Sequence, residues 1–147
     1  MKTIAISACL LGEKCRYDAT DNKNALLIEQ LQEDEIIPFC PEDDAFGSPR
    51  PTMDLVRTPH GDKAISNASG EDLSAPIQAY ACAFFDAHPN IDLVIGKERS
   101  PSCGVCSAKL YDEEKHLLSS YEAGLMMKEA QKRHISCIDA DKYKEIT

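Results

Sequence analysis

Four short apolar runs punctuate this chain, and helical spacing fills the stretches between them. Thr3-Ile4-Ala5-Ile6-Ser7, Glu35-Ile36-Ile37-Pro38-Phe39, Asp92-Leu93-Val94-Ile95 and Ile135-Ser136-Cys137-Ile138 are rich in isoleucine and valine and too short for helices. They read as buried strands. Residues 24 to 33 carry Leu26, Leu27 and Leu31 at helical spacing. From Ser74 to His88, Ile77, Tyr80, Ala81, Phe84 and Phe85 fall on an i, i+3, i+4, i+7, i+8 stripe, the clearest helix in the chain. A last helix is expected from Tyr121 to His134, closing on Lys132-Arg133-His134, where cations suit a C-terminus. Strands alternating with helices need right-handed crossovers and therefore a mainly parallel sheet. The expected fold is α/β, a three-layer Rossmann-like or flavodoxin-like arrangement, with residues 1–147 forming one domain. Residues 41 to 72 hold many of the prolines and glycines. They are expected as a long loop region with one short strand or hairpin around Val56 or Ala64-Ile65.

A length of 147 residues suits one core. Aromatic residues make up 6% and tryptophan is absent, so that core should be aliphatic. The net charge of -9 works against a nucleic-acid polymer or an anionic membrane surface as partner, since both require clustered cations. A small molecule or a protein is expected instead. The apolar stretch near Met1 is too short for a signal peptide, and no run approaches a membrane span. The expected compartment is the cytoplasm.

In that reducing setting, seven cysteines, an odd number, do not read as a disulfide framework. Cys9 falls just after the first strand, Cys40 just after the second and Cys103 a few residues after the third. In a parallel sheet these sites share one edge, the carboxyl ends of the strands, where α/β proteins form their ligand crevice. Cys82 and Cys137 lie inside regular elements and are expected to be buried. Cys15 and Cys106 share loops with Cys9 and Cys103 and are possible additional ligands. Thiolates close together repel unless a cation holds them, so the convergence favours a metal. Zinc usually recruits histidine, and His60, His88, His116 and His134 show no matching motif. An all-thiolate site suits an iron-sulfur cluster, and three thiolates leave one iron of a four-iron cluster open.

Polar residues accompany each thiol. Glu42 follows Cys40 by two positions and is a candidate general acid or base, or a helix-start charge. Ser100 precedes Cys103 by three and is a candidate hydroxyl donor, or a turn residue. Arg16 and Arg50 are placed to orient an anionic or carbonyl group, or to pair with Asp18 or Glu42.

Taken in order, Ser7-Ala8-Cys9-Leu10-Leu11-Gly12, Cys15-Arg16-Tyr17-Asp18, Cys40-Pro41-Glu42, Pro49-Arg50-Pro51 and Ser100-Pro101-Ser102-Cys103-Gly104 resemble the thiouracil desulfidase family, long classed as a domain of unknown function. The resemblance covers nearly the whole chain. It implies a [4Fe-4S] cluster on Cys9, Cys40 and Cys103 with one open iron, Glu42 and Ser100 as catalytic groups, and Arg16, Arg50 and Ser102 at the substrate. The implied activity is non-redox removal of sulfur from a small thiolated nucleobase such as thiouracil, with release of hydrosulfide. The chain departs from the family pattern at Ala19, where glycine usually follows Arg-Tyr-Asp. It also departs at Asp43-Asp44-Ala45-Phe46-Gly47-Ser48, where a Gly-Gly-Leu stretch is usual, and at Asp54, near a usual glutamate. Side chains replacing glycine are expected to narrow the pocket. Two competing readings remain at this point. One is a non-catalytic zinc or iron-sulfur protein with Cys106 as fourth ligand. The other is a metal-free thiol enzyme with Cys103 as nucleophile and Cys106 as its resolving partner.

Overall fold

The computed structural model describes residues 1–143. Strand β1 (Thr3–Ser7) lies at the centre, flanked by β2 (Glu35–Phe39) and β5 (Leu93–Gly96), with β8 (Cys137–Asp139) beyond β5. All three pairings are parallel, with Ile4 beside Ile36, Ala5 beside Val94 and Ile95 beside Ile138. The expected parallel sheet is therefore present, in the order β2-β1-β5-β8.

The alternation of side chains along a strand sends two sets of residues to opposite faces. Ile4, Ile6 and Ile95 pack with Leu27 and Leu31 of the segment around helix α1 (Ala25–Gln30). Asn24 caps α1 by accepting a 3.0 Å hydrogen bond from the Leu27 amide. Ala5 and Val94 face the other way, toward Ala81, Phe84 and Phe85 of α3 (Ser74–Ala87) and Met126, Met127 and Ala130 of α4 (Leu125–Lys132). Helices on both faces make the three layers. Each fully buried Ile, Leu or Phe side chain in these two layers stabilises the fold by about 1.5–3 kcal/mol.

Residues 41 to 72 differ from expectation. They contain a short helix α2 (Pro41–Phe46) and a two-strand hairpin, β3 (Met53–Thr58) against β4 (Gly61–Ser66). The hairpin coincides with the strands expected around Val56 and Ala64-Ile65, but it belongs to a second sheet that the sequence pattern did not announce. There β3 pairs in parallel with β6 (Ala108–Tyr111), and β6 pairs antiparallel with β7 (Leu117–Glu122), giving the order β4-β3-β6-β7. Leu55, Ala64 and Leu110 bury its inner face against Ile77 of α3 and Leu125 of α4.

The last helix also starts later than its periodicity suggests. Tyr121 and Glu122 are taken by β7, and α4 begins after Gly124. A Cβ at Gly124 would lie 2.5 Å from the Ser102 carbonyl carbon, so only glycine admits that loop.

Candidate active site

The carboxyl ends of β1, β2 and β5 open onto one cavity of about 560 Å³. Each end delivers a cysteine. Cys9 sits in the 3₁₀ turn Ala8–Leu11 that follows β1, Cys40 is the residue before α2, and Cys103 lies in the loop after β5. All three line the cavity, as does Cys15, and no histidine does.

The thiols form one electrostatic group. Cys9 is lowered to about 7, chiefly by a hydrogen bond from the Cys15 thiol, with a further bond from the Asn22 amide at 3.7 Å and against the effect of burial. Cys40 is also lowered, first by the Cys15 thiol and then by the Asp43 amide and the Arg50 charge, against burial and Glu42. Cys15, donating to both neighbours, is pushed far up. Burial is the main cause that raises Cys103, and the charges of Cys40 and Glu42 add to it, while the Ser7 hydroxyl opposes. Four thiols that raise and lower one another in this way cannot all ionise unless a cation joins them. Four cysteines on one cavity wall without a histidine have the donor chemistry that suits an iron-sulfur centre.

The Cys103 loop is held from three sides. Ser100 Oγ accepts hydrogen bonds from the Cys103 amide at 3.0 Å and the Ser102 amide at 3.2 Å. Neither bond uses the hydroxyl proton. The first amides of α4, which have no partner within a helix, are satisfied by this loop: Leu125 donates to the Pro101 carbonyl and Met126 to the Ser102 carbonyl. On the remaining side a Cβ on Gly96 would lie 1.8 Å from the Cys103 carbonyl oxygen, so the end of β5 must be glycine for the loop to sit here.

Glu42 lies in the first turn of α2, its carboxylate 15% exposed. Ser102 Oγ donates to its Oε2 at 2.8 Å, and Arg50 Nε stands 3.6 Å from its Oε1. Arg50 is only 6% exposed and donates to the Gly47 carbonyl at 3.0 Å and to Ser48 Oγ at 2.7 Å, while its amide reaches the Tyr17 carbonyl. Glu42, Arg16, Arg50 and Ser100 all line the cavity. Ser102 does not; it is fully buried behind Glu42. Arg16 stands at the rim, half-buried, its guanidinium over the Tyr17 ring at 5.5 Å and Nη1 3.5 Å from Thr20 Oγ1.

Several residues were not anticipated. Lys97, Glu98 and Arg99 line the cavity directly after β5, and their position at a strand's carboxyl end was the available signal. The Lys97 amide donates to Ser7 Oγ at 3.0 Å, and its ammonium pairs with Glu98 Oε1 at 2.9 Å. The second sheet adds Met53 and Asp54 as a side wall. Tyr80, expected only as part of an apolar stripe, accepts the Cys40 amide on its hydroxyl at 3.1 Å. Two expectations are corrected. None of residues 43–48 lines the cavity, so the replacements for glycine there do not narrow it, and Asp43 meets the Cys40 thiol through its backbone amide alone. Cys82 and Cys137 are half-buried rather than core residues. Cys106 is exposed and off the cavity wall.

Fold and site together define an α/β protein with a thiol-lined crevice at the carboxyl edge of a parallel sheet. Residues 4–142 match the model of the 2-thiouracil desulfurase family, and the chain belongs to that family. It is 30% identical over 149 aligned positions to the uncharacterised protein YbbK of Bacillus subtilis (strain 168), covering 90% of this chain and 94% of that one. Among solved structures it is similar to the [4Fe-4S]-dependent thiouracil desulfidase TudS, with a TM-score of 0.74 and 26% identity over 97% of this chain and 93% of TudS. Ala19, where the resemblance implied a glycine, has a φ of 61°, a left-handed backbone that glycine adopts without strain.

Proposed function

We propose that this chain is a single-domain desulfidase that removes sulfur from a small thiolated pyrimidine such as thiouracil. The observation that carries this reading is the meeting of Cys9, Cys40 and Cys103 in one cavity beside Glu42 and Ser100. Cys9, Cys40 and Cys103 would hold a [4Fe-4S] cluster, with Cys15 as a hydrogen-bonding neighbour. Such a cluster, one iron short of a protein ligand, supplies a Lewis acid that polarises a thiocarbonyl.

The residues then divide the remaining work. Glu42, bonded by the Ser102 hydroxyl and faced by Arg50, orients a water toward the ring carbon and takes up a proton from it. Ser100 keeps its hydroxyl proton for a ring or sulfur atom of the substrate. Arg16 and Arg50 supply positive charge for a carbonyl oxygen. Ser102 acts through Glu42 and does not reach the ligand. In the overall change a water oxygen bonds to carbon, the carbon-sulfur bond breaks, and sulfur leaves as hydrosulfide with no net electron transfer.

Reduced thiols suit the cytoplasm, and among the described residues no helix is long and apolar enough to cross a membrane. The net charge of -9 supports a small-molecule substrate over a nucleic-acid polymer.

A second reading, a closed and non-catalytic metal centre, has its observation in Cys15, which lines the same cavity and accepts the Cys40 thiol on its carbonyl at 3.7 Å, within reach of serving as a fourth ligand. A metal-free thiol enzyme has less support, because burial raises the thiol it would use, Cys103. The deciding experiment is anaerobic reconstitution with iron and sulfide, followed by a sulfide assay with 4-thiouracil. Sulfide release that is lost in Glu42→Gln and Ser100→Ala, with the brown colour kept, supports the desulfidase. A colourless protein that binds one zinc and releases no sulfide supports the closed centre.

A further inference from the structure

The pair Cys103-Gly104-Val105-Cys106 has the spacing with which iron-sulfur proteins place two thiolates on one cluster. In this fold only Cys103 faces the cavity, while Cys106 is exposed on the far side of the same loop. One residue accounts for that division. Asp139, 2% exposed at the end of β8, accepts the Val105 amide on Oδ1 at 2.7 Å and the Cys106 amide on Oδ2 at 3.1 Å. Its Oδ1 also accepts the Ser107 hydroxyl at 2.8 Å, and Ser107 Oγ in turn accepts the Arg99 amide at 2.8 Å. The register that sets Asp139 beside Gly96 puts this carboxylate next to the strand end from which the Cys103 loop departs.

Resting on the cluster reading above, we infer that Asp139 is a positioning residue that keeps Cys106 out of the cavity and so keeps the centre one protein ligand short. The carboxylate fixes both residues before Ser107 by their amides, and the Cys106 side chain is thereby turned to solvent. With those bonds weakened, the loop is free to rotate Cys106 inward. A fourth thiolate would then occupy the position that substrate sulfur needs.

Asp139→Asn tests this with little change of shape, because the amide nitrogen cannot accept the Cys106 amide. The holoprotein is reconstituted anaerobically, reduced, and titrated with cyanide, an anion that binds an iron lacking a protein ligand, with the electron paramagnetic resonance signal as readout. The wild-type signal should shift. The closed-to-open ratio should rise about fivefold in Asp139→Asn, the change that one hydrogen bond supports, so the shifted fraction at sub-saturating cyanide should fall. It should return in Asp139→Asn with Cys106→Ser, and Cys106→Ser alone should behave as wild type. Iodoacetamide gives a second readout, with Cys106 alkylated rapidly in the wild-type holoprotein and protected in Asp139→Asn. Equal cyanide binding in wild type and Asp139→Asn overturns this inference alone, as does a loss that Cys106→Ser fails to restore. Wild-type protein that takes up no cluster overturns both this inference and the desulfidase reading.

Discussion

Ser102 Oγ donates a 2.8 Å hydrogen bond to Glu42 Oε2, across 60 residues of sequence, from a serine with no exposed surface. This bond couples the Cys103 loop to the first turn of α2. It also fixes the carboxylate's rotation, which in the proposed mechanism would give a water at Glu42 a defined direction. A bond from a neutral donor to a charged acceptor is worth about 1.5–3 kcal/mol. Ser102→Ala should therefore lower kcat roughly 10- to 100-fold with iron content unchanged, and steady-state sulfide release beside an iron assay checks both.

Gly96 and Cys103 make a tighter demand. A methyl group at residue 96 would overlap the Cys103 carbonyl oxygen, with 1.8 Å between them. Gly96→Ala must push the loop out, and overpacking of this kind costs about 1–3 kcal/mol. The expected outcome is a lower Tm together with loss of most bound iron. Calorimetry and colorimetric iron determination measure the two effects separately.

Ala19 carries a left-handed backbone at φ 61°, where a side chain crowds its own carbonyl. Its amide donates to the Arg16 carbonyl at 2.9 Å, so the turn is fixed and the strain stays. Ala19→Gly relieves it, at the cost of a more flexible unfolded chain, with a net stabilisation of about 1 kcal/mol. Urea denaturation should show a higher midpoint with an unchanged slope.

Arg133 ties α4 to α3, with Nη1 2.8 Å from Asp86 and Nε 2.7 Å from Glu129 one turn earlier. The hydrogen bond from Arg133 holds the Glu129 carboxyl below its ordinary value of 4.5. A carboxylate depressed in the folded state contributes stability above its unfolded value, and that contribution is lost as pH falls through the folded one. Glu129→Gln should thus lower stability by about 0.3–0.5 kcal/mol at pH 7. The difference from wild type should shrink as pH falls below the ordinary carboxylate value, which thermal melts across an acid series would follow.

The parallel sheet was legible because its central strands β1 and β5 are buried along nearly their whole length and read as unbroken apolar runs, while the edge strands β2 and β8 still carry Ile36-Ile37 and Ile138. That Cys9, Cys40 and Cys103 would share one crevice followed from a parallel sheet, because Cys9 and Cys40 sit directly after their strands and Cys103 a few residues after β5. The second sheet was not legible for the opposite reason. Its strand Ala108–Tyr111 has only four residues, and its edge strand Leu-Leu-Ser-Ser-Tyr-Glu has no buried residue to mark it. Its last two residues, Tyr121 and Glu122, merge with the pattern of the helix that follows. The bonds from Ser102 to Glu42 and from the Cys106 amide to Asp139 join positions 60 and 33 residues apart, and no local pattern encodes such a distance.

The proposed function stands on Cys9, Cys40 and Cys103 together holding one iron-sulfur centre. The most direct measurement is the iron and acid-labile sulfide content of protein reconstituted without oxygen, for wild type and for single serine replacements of each cysteine. Wild type and Cys106→Ser should each carry roughly four irons and four sulfides, while Cys9→Ser, Cys40→Ser and Cys103→Ser should each lose most of both. Full iron content in any one of those three variants, or none in the wild type, would mean that these cysteines do not jointly hold the centre.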